Sequence, residues 1–121
     1  DGWRVVNLEQ IAAWNADKIV IISYFEPVDD VVARLTRDPN WQGLTAMQSN
    51  QVYGFPIDYY SWDQPDTRWI MGLTWLASTM HPDQFAIDIK KESIEFYGEL
   101  YGLDAGTVEA EIFPLLQGTL P

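Results

Sequence analysis

Lys18-Ile19-Val20-Ile21-Ile22-Ser23 is an unbroken β-branched run between polar ends. Its reading decides the fold. A strand without polar alternation is one buried on both faces, as strands of parallel sheets are. On its N-terminal side, Leu8, Ile11 and Ala12 fall on one helical stripe behind the cap Asn7. Gln10 stands at the capping-box position and the helix ends near Asn15. Trp3 to Val6, before that helix, reads as a short strand. On the C-terminal side, Pro27 opens a helix with Val28, Val31, Val32 and Leu35 along one side, and Asp38-Pro39-Asn40 ends it.

Trp41 to Asn50 reads as a loop with one short helical turn. Gln51-Val52-Tyr53-Gly54-Phe55 is the next strand, closed by Pro56. Pro65 is expected to start a helix running to about Met80, with Trp69, Gly72, Leu73, Leu76 and Met80 facing the core and Trp75 off that face. His81-Pro82 stops it, with His81 in a capping role. Asp88 to Tyr101 is a strong helix, with Ile89, Phe96, Tyr97, Leu100 and Tyr101 on one side and Gly102 at its end. Residues 104–121 are expected to add a weaker helix and a loose end. Strands alternating with helices mean an α/β fold: a three-layer, Rossmann-like parallel sheet with flanking helices.

Composition narrows the function. The chain has 121 residues, the size of one domain, and no cysteine, so neither a disulfide framework nor a thiolate metal site is available. One histidine, His81, gives little support to a multi-histidine metal site or a Ser-His triad. Seven basic against 18 acidic residues leave a formal charge of −11, which argues against nucleic acid and against an anionic membrane surface. No apolar run approaches the roughly 20 residues of a membrane span, so direct membrane insertion of this segment is not expected. The opening at Trp3-Arg4-Val5-Val6 reads as an entry in mid-domain, which predicts a fragment.

Ligands of open α/β sheets bind beyond the carboxyl ends of the strands. Two loops leave such ends: Ser23-Tyr24-Phe25-Glu26, and Pro56 to Asp63, which leads into Tyr59-Tyr60-Ser61-Trp62-Asp63-Gln64-Pro65-Asp66-Thr67-Arg68. Both are aromatic and acidic, a surface able to stack on a flat or chelated ligand and bond its edge. Trp62 and Arg68 are expected to line the cleft, with Tyr24, Tyr60 and Asp63 beside them. Asp58, Asp63 and Asp66 could form a paired-carboxylate catalyst, but Asp63 or Asp66 also suits a cap of the following helix. Arg68 could pair with Asp63 or Asp66, bind an anionic ligand group, or do both. Glu9 stands in the first turn of its helix, where a carboxylate is favourable in any case. No Gly-rich phosphate loop, nucleophile elbow or HExxH motif occurs.

The assembled segments resemble the C-terminal lobe of a class III periplasmic substrate-binding protein, of the kind that feeds iron–siderophore, haem and cobalamin ABC importers. The matching stretches run from Asn7 to Ile21, then Asp38-Pro39-Asn40-Trp41-Gln42 and Ala46 to Pro56. They continue through Ser61-Trp62-Asp63, Arg68, Gly72-Leu73-Thr74-Trp75-Leu76-Ala77, His81-Pro82 and Glu95-Phe96-Tyr97-Gly98. Ala16 stands where the family usually has proline. The resemblance implies one lobe of a two-lobe receptor, residues 1–121, with the N-terminal lobe absent. It implies an extracytoplasmic setting, periplasmic or lipid-anchored at the outer face of the cell membrane. The implied ligand is a metal chelate, held without covalent chemistry, catalytic residues, cofactor or resident metal. The implied partners are the N-terminal lobe and the transmembrane permease subunits, onto which Glu9 would dock. A carboxylate-dependent hydrolase acting on a sugar stacked on Trp62, or a carbohydrate-binding module without transport, are the competing readings.

Overall fold

The computed structural model describes residues 2–120. Two strands, β1 (Ile19–Ile21) and β2 (Val52–Gly54), pair in parallel, with Ile19 opposite Val52 and Ile21 opposite Gly54. Successive strand residues point to opposite faces. Val20 and Ile22, with Tyr53 and Phe55, therefore look into the main core. The other face meets α2 (Val28–Arg37), whose Val28 methyl approaches Gly54 so closely that a Cβ there would sit 3.2 Å away. On the core side lie α4 (Trp69–Met80) and α5 (Ile89–Tyr101). The result is three layers, helix on sheet on helix, as the alternation predicts. Short elements complete the chain: α1 (Leu8–Trp14), α3 (Thr45–Gln48) and α6 (Ala105–Thr107), which runs on through a wider π turn at Val108–Ile112.

The helix boundaries follow local chemistry. The Asn7 side chain accepts from Gln10 N–H at 2.9 Å, and Asn15 closes α1 in the left-handed region at φ 42°. The Asp88 carboxylate accepts from Lys90 and Lys91 N–H, and Gly102 ends α5 at φ 67°. The Lys18 ammonium donates to the carbonyls of Thr79 and Met80, tying the start of β1 to the end of α4, where a cation is favourable.

Five expectations are corrected. Trp3 to Val6 forms no strand and pairs with none among the described residues, and Trp3 and Val5 lie in solvent. The helix expected from Pro65 begins at Trp69, because the Asp66 carboxylate takes the Arg68 N–H at 2.7 Å and holds residues 64–68 in tight turns. Its buried face is turned from the expected one. Met71, Gly72, Trp75, Ser78 and Thr79 are inside, whereas Trp69 and Leu73 are more than half exposed. Trp75 is fully buried because its ring meets Phe55 edge-on, centroids 4.8 Å apart, and its indole N–H reaches the Thr119 carbonyl. On α5 the buried set is Ile89, Ser93, Phe96 and Tyr97, with Leu100 and Tyr101 outside.

The last correction concerns the C-terminal segment. Residues 117–119 do not hang loose. Gln117 and Ile57 exchange backbone hydrogen bonds at 2.9 and 3.1 Å, and Thr119 bonds Gly54 through both its N–H and its hydroxyl. Gly118, at φ 101°, makes the close pass possible: a Cβ there would lie 2.9 Å from the Phe55 carbonyl oxygen.

Candidate functional site

The two loops beyond the strand carboxyl ends meet. The Tyr24 hydroxyl donates to Asp63 Oδ2, joining the loop after β1 to the loop after β2. That bond, before burial, raises the Tyr24 hydroxyl pKa above its ordinary value. The first loop is otherwise lightly held. Ser23 Oγ donates to the Glu26 carbonyl at 2.7 Å, and Glu26 receives Arg34 through two bonds of 2.8 and 3.1 Å. Phe25 is wholly exposed, and Tyr24 partly so.

The second loop is built around one carboxylate. Asp58 has no exposed side-chain surface, and its two oxygens accept four hydrogen bonds. Oδ1 takes Arg68 Nε at 2.9 Å and Tyr60 N–H at 3.2 Å. Oδ2 takes Trp62 Nε1 at 2.9 Å and the Tyr97 hydroxyl. A buried carboxylate is tolerated only with such pairing. Burial, then the bond to Asp58, pushes the Tyr97 hydroxyl well above its ordinary value. Burial lowers Arg68, but the Asp58 charge, together with Tyr97 and the hydrogen bonds to both, more than offsets this and holds the guanidinium above its usual range.

Arg68 is thereby fixed among aromatic rings. Its side chain is 12% exposed, with Asp66 at 3.6 Å as a second carboxylate neighbour. The Tyr60 ring centroid lies 5.4 Å from the guanidinium carbon, and Tyr97 and Tyr101 lie at 6.0 Å. Tyr59 and Tyr60 are both about 60% exposed. Tyr24, Tyr60, Asp63 and Arg68 thus share one end of the sheet, where the topology places ligands.

Trp62 does not line that face. It is 1% exposed, packed in the core with Phe55, Met71 and Trp75, so it cannot stack on a ligand. Its role is to seat Asp58. The α4 backbone comes so near that a Cβ on Gly72 would stand 2.4 Å from the Trp62 carbonyl oxygen. Asp66 caps the turn into α4, as one of the two alternatives held, whereas Asp63 bonds Tyr24 instead. Glu9 is exposed in the first turn of α1, remote in sequence from both loops. The residue that sequence reasoning missed is Tyr97. Its place on an apolar stripe gave no hint that its hydroxyl reaches a carboxylate 39 residues away. Among the described residues, no group of three or more His, Asp or Glu side chains could hold a metal ion. Among the same residues, no helix is long and apolar enough to cross a membrane.

No protein-family model matches this chain, and no curated protein sequence does. Solved structures do. A periplasmic solute-binding protein of Veillonella parvula aligns over 93% of this chain and 35% of its own, at 23% identity and a TM-score of 0.70. The periplasmic molybdate-binding protein MolA of Haemophilus influenzae, from an ABC transporter, aligns over 85% and 31%, at 26% identity and 0.67. CeuE of Helicobacter pylori, solved in a Ni–His complex, aligns over 89% and 34%, at 23% identity and 0.64. The chain has the fold of part of these binding proteins, and it spans about a third of their length.

Proposed function

We propose that this chain is the ligand-binding C-terminal lobe of an extracytoplasmic solute receptor that delivers a metal chelate to an ABC importer. The observation that carries the reading is the meeting of two aromatic, acidic loops, through Tyr24 and Asp63, at the carboxyl ends of parallel strands. The likeness to periplasmic binding proteins supports it. Tyr24, Tyr60 and the edge of Arg68 present the contact surface, Asp63 orients Tyr24, and a second lobe closes over them. Capture between lobes needs binding groups and no reacting ones. The carboxylates fit that account: Asp58 is consumed by four internal bonds and Asp66 by the turn into α4, so neither is poised as an acid or base.

Titrating this chain with ferric hydroxamates, haemin and cobalamin, followed by amide NMR, tests the reading. Shifts centred on residues 24 and 59–63 support it. Saturable shifts confined to other surfaces overturn it. Glu9, exposed at a helix start, is the proposed docking acid for permease arginines. In the receptor containing this lobe, Glu9→Arg leaves chelate affinity unchanged and reduces vesicle uptake. Normal uptake by that variant removes the docking role.

A further inference from the structure

The charge on this face selects among chelates. Residues 23–26 and 56–68 hold four carboxylates, Glu26, Asp58, Asp63 and Asp66, and one guanidinium, Arg68. Arg68 is already compensated: Asp58 bonds its Nε at 2.9 Å, Asp66 stands 3.6 Å from a terminal nitrogen, and its side chain is 12% exposed. It has little charge left to offer an anion. Arg34, the nearest basic residue in sequence beyond the first loop, is committed to Glu26. Asp63 is the least satisfied acid. One oxygen accepts from Tyr24, and the other is buried with no hydrogen-bond partner among the described residues. A carboxylate charge left without a cationic partner, on a face that also exposes the electron-rich rings of Tyr24 and Tyr60, attracts positive charge and repels negative.

We infer that the ligand of this face is a chelate complex of net positive charge, stacked on Tyr60 and Tyr24, and that oxyanions and polyanionic chelates are rejected. The inference rests on the receptor reading and names its ligand class. Rejection is part of the selectivity, because a polyanion here meets uncompensated carboxylate charge. The aromatic residues supply contact area for any flat chelate, and the carboxylates decide its sign.

Two inert complexes of similar aromatic core and opposite charge test this: tris(phenanthroline)iron(II), a dication, and its sulfonated diphenyl analogue, a tetraanion. Equilibrium dialysis against this chain at physiological salt suppresses non-specific attraction to the overall negative charge. The dication is retained saturably and the tetraanion is not. Tyr60→Ala weakens the dication about tenfold, the scale of a partly desolvated cation–π contact. Asp63→Asn, which keeps the shape, weakens it about threefold, as loss of one nearby charge at a wet surface does. Retention of the tetraanion as tightly as the dication, weakened by Tyr60→Ala, overturns the charge inference and leaves the receptor reading standing. Retention of the dication unaffected by either substitution removes both. Retention of neither complex at millimolar concentration overturns the charge inference alone, since the receptor reading has its own titration.

Discussion

The two loops at the strand ends are held in opposite ways. The loop after β2 is bolted to the core through Asp58, whose bonds reach Trp62, Arg68 and Tyr97 on α5. The loop after β1 rests on the Ser23 turn, the exposed Glu26–Arg34 pair and one hydroxyl bond to Asp63. Loops with few buried contacts open at low free-energy cost, whereas loops tied into a core open only with it. The pair therefore supplies a rigid wall, carrying Tyr60 and Arg68, and an adaptable one, carrying Tyr24 and Phe25. A face so divided can hold its geometry on one side and still adjust its outline on the other.

The contrast is easiest to break at Asp58. Asp58→Ala leaves Arg68 without its buried partner, and Trp62 and Tyr97 without their acceptor. The expected loss is about 3–5 kcal/mol of stability by urea unfolding. A loss under about 1 kcal/mol, the range of ordinary surface changes, would show that the wall is not anchored there.

Gly72→Ala probes the same wall from behind. Its Cβ would meet the Trp62 carbonyl at 2.4 Å, and backbone cannot swing aside as a side-chain end can. Overpacking of this kind costs about 1–3 kcal/mol, read again by urea unfolding.

Tyr97→Phe is milder, about 2 kcal/mol, because it removes one hydrogen bond to a charged acceptor. It also carries a pH signature. Tyr97 binds its proton more tightly folded than unfolded, so its contribution is complete below about pH 10 and fades as pH rises beyond. The wild-type chain should lose stability steeply above that pH, and Tyr97→Phe should flatten the slope. Parallel alkaline limbs would show that Tyr97 gains nothing from its site.

Tyr24→Phe should change stability by about 0.5 kcal/mol or less, in keeping with its exposed loop. Its effect belongs in dynamics: amide exchange at residues 23–26 should quicken while residues 58–62 stay protected. Equal acceleration in both loops would mean that they open together.

Much of the architecture was legible in the chain because it is written locally. The β-branched run at 19–22, the cap Asn7 and the stop Gly102 each act through near neighbours, and each stands where the local pattern put it. What was not legible depended on distant partners. The face of α4 is set by Trp75 meeting Phe55 and Thr119, so the apolar stripe alone pointed to Trp69 and Leu73. Trp62 looked like a ligand platform because aromatic density in a loop does not reveal which ring turns inward. Asp58 looked like one carboxylate among three. Only its convergence with Trp62, Arg68 and Tyr97 distinguishes it, and Tyr97 comes from another helix. That the two loops beyond the strand ends lie together was readable from topology, whereas their internal wiring was not.

The strap formed by residues 117–119 has a bearing on solubility. A sheet edge with unpaired N–H and carbonyl groups is a template for another chain. Along β2, Gly54 faces outward, and Thr119 claims both its N–H and its carbonyl, while Gln117 covers Ile57 just beyond. The Asp29 carboxylate pins the strap from α2 by accepting the Gly118 N–H at 3.0 Å. The strap is thus a guard rail against edge-to-edge association along β2, and a chain whose strap is prised away would present an adhesive border where the native fold presents one sealed at Gly54 and Ile57.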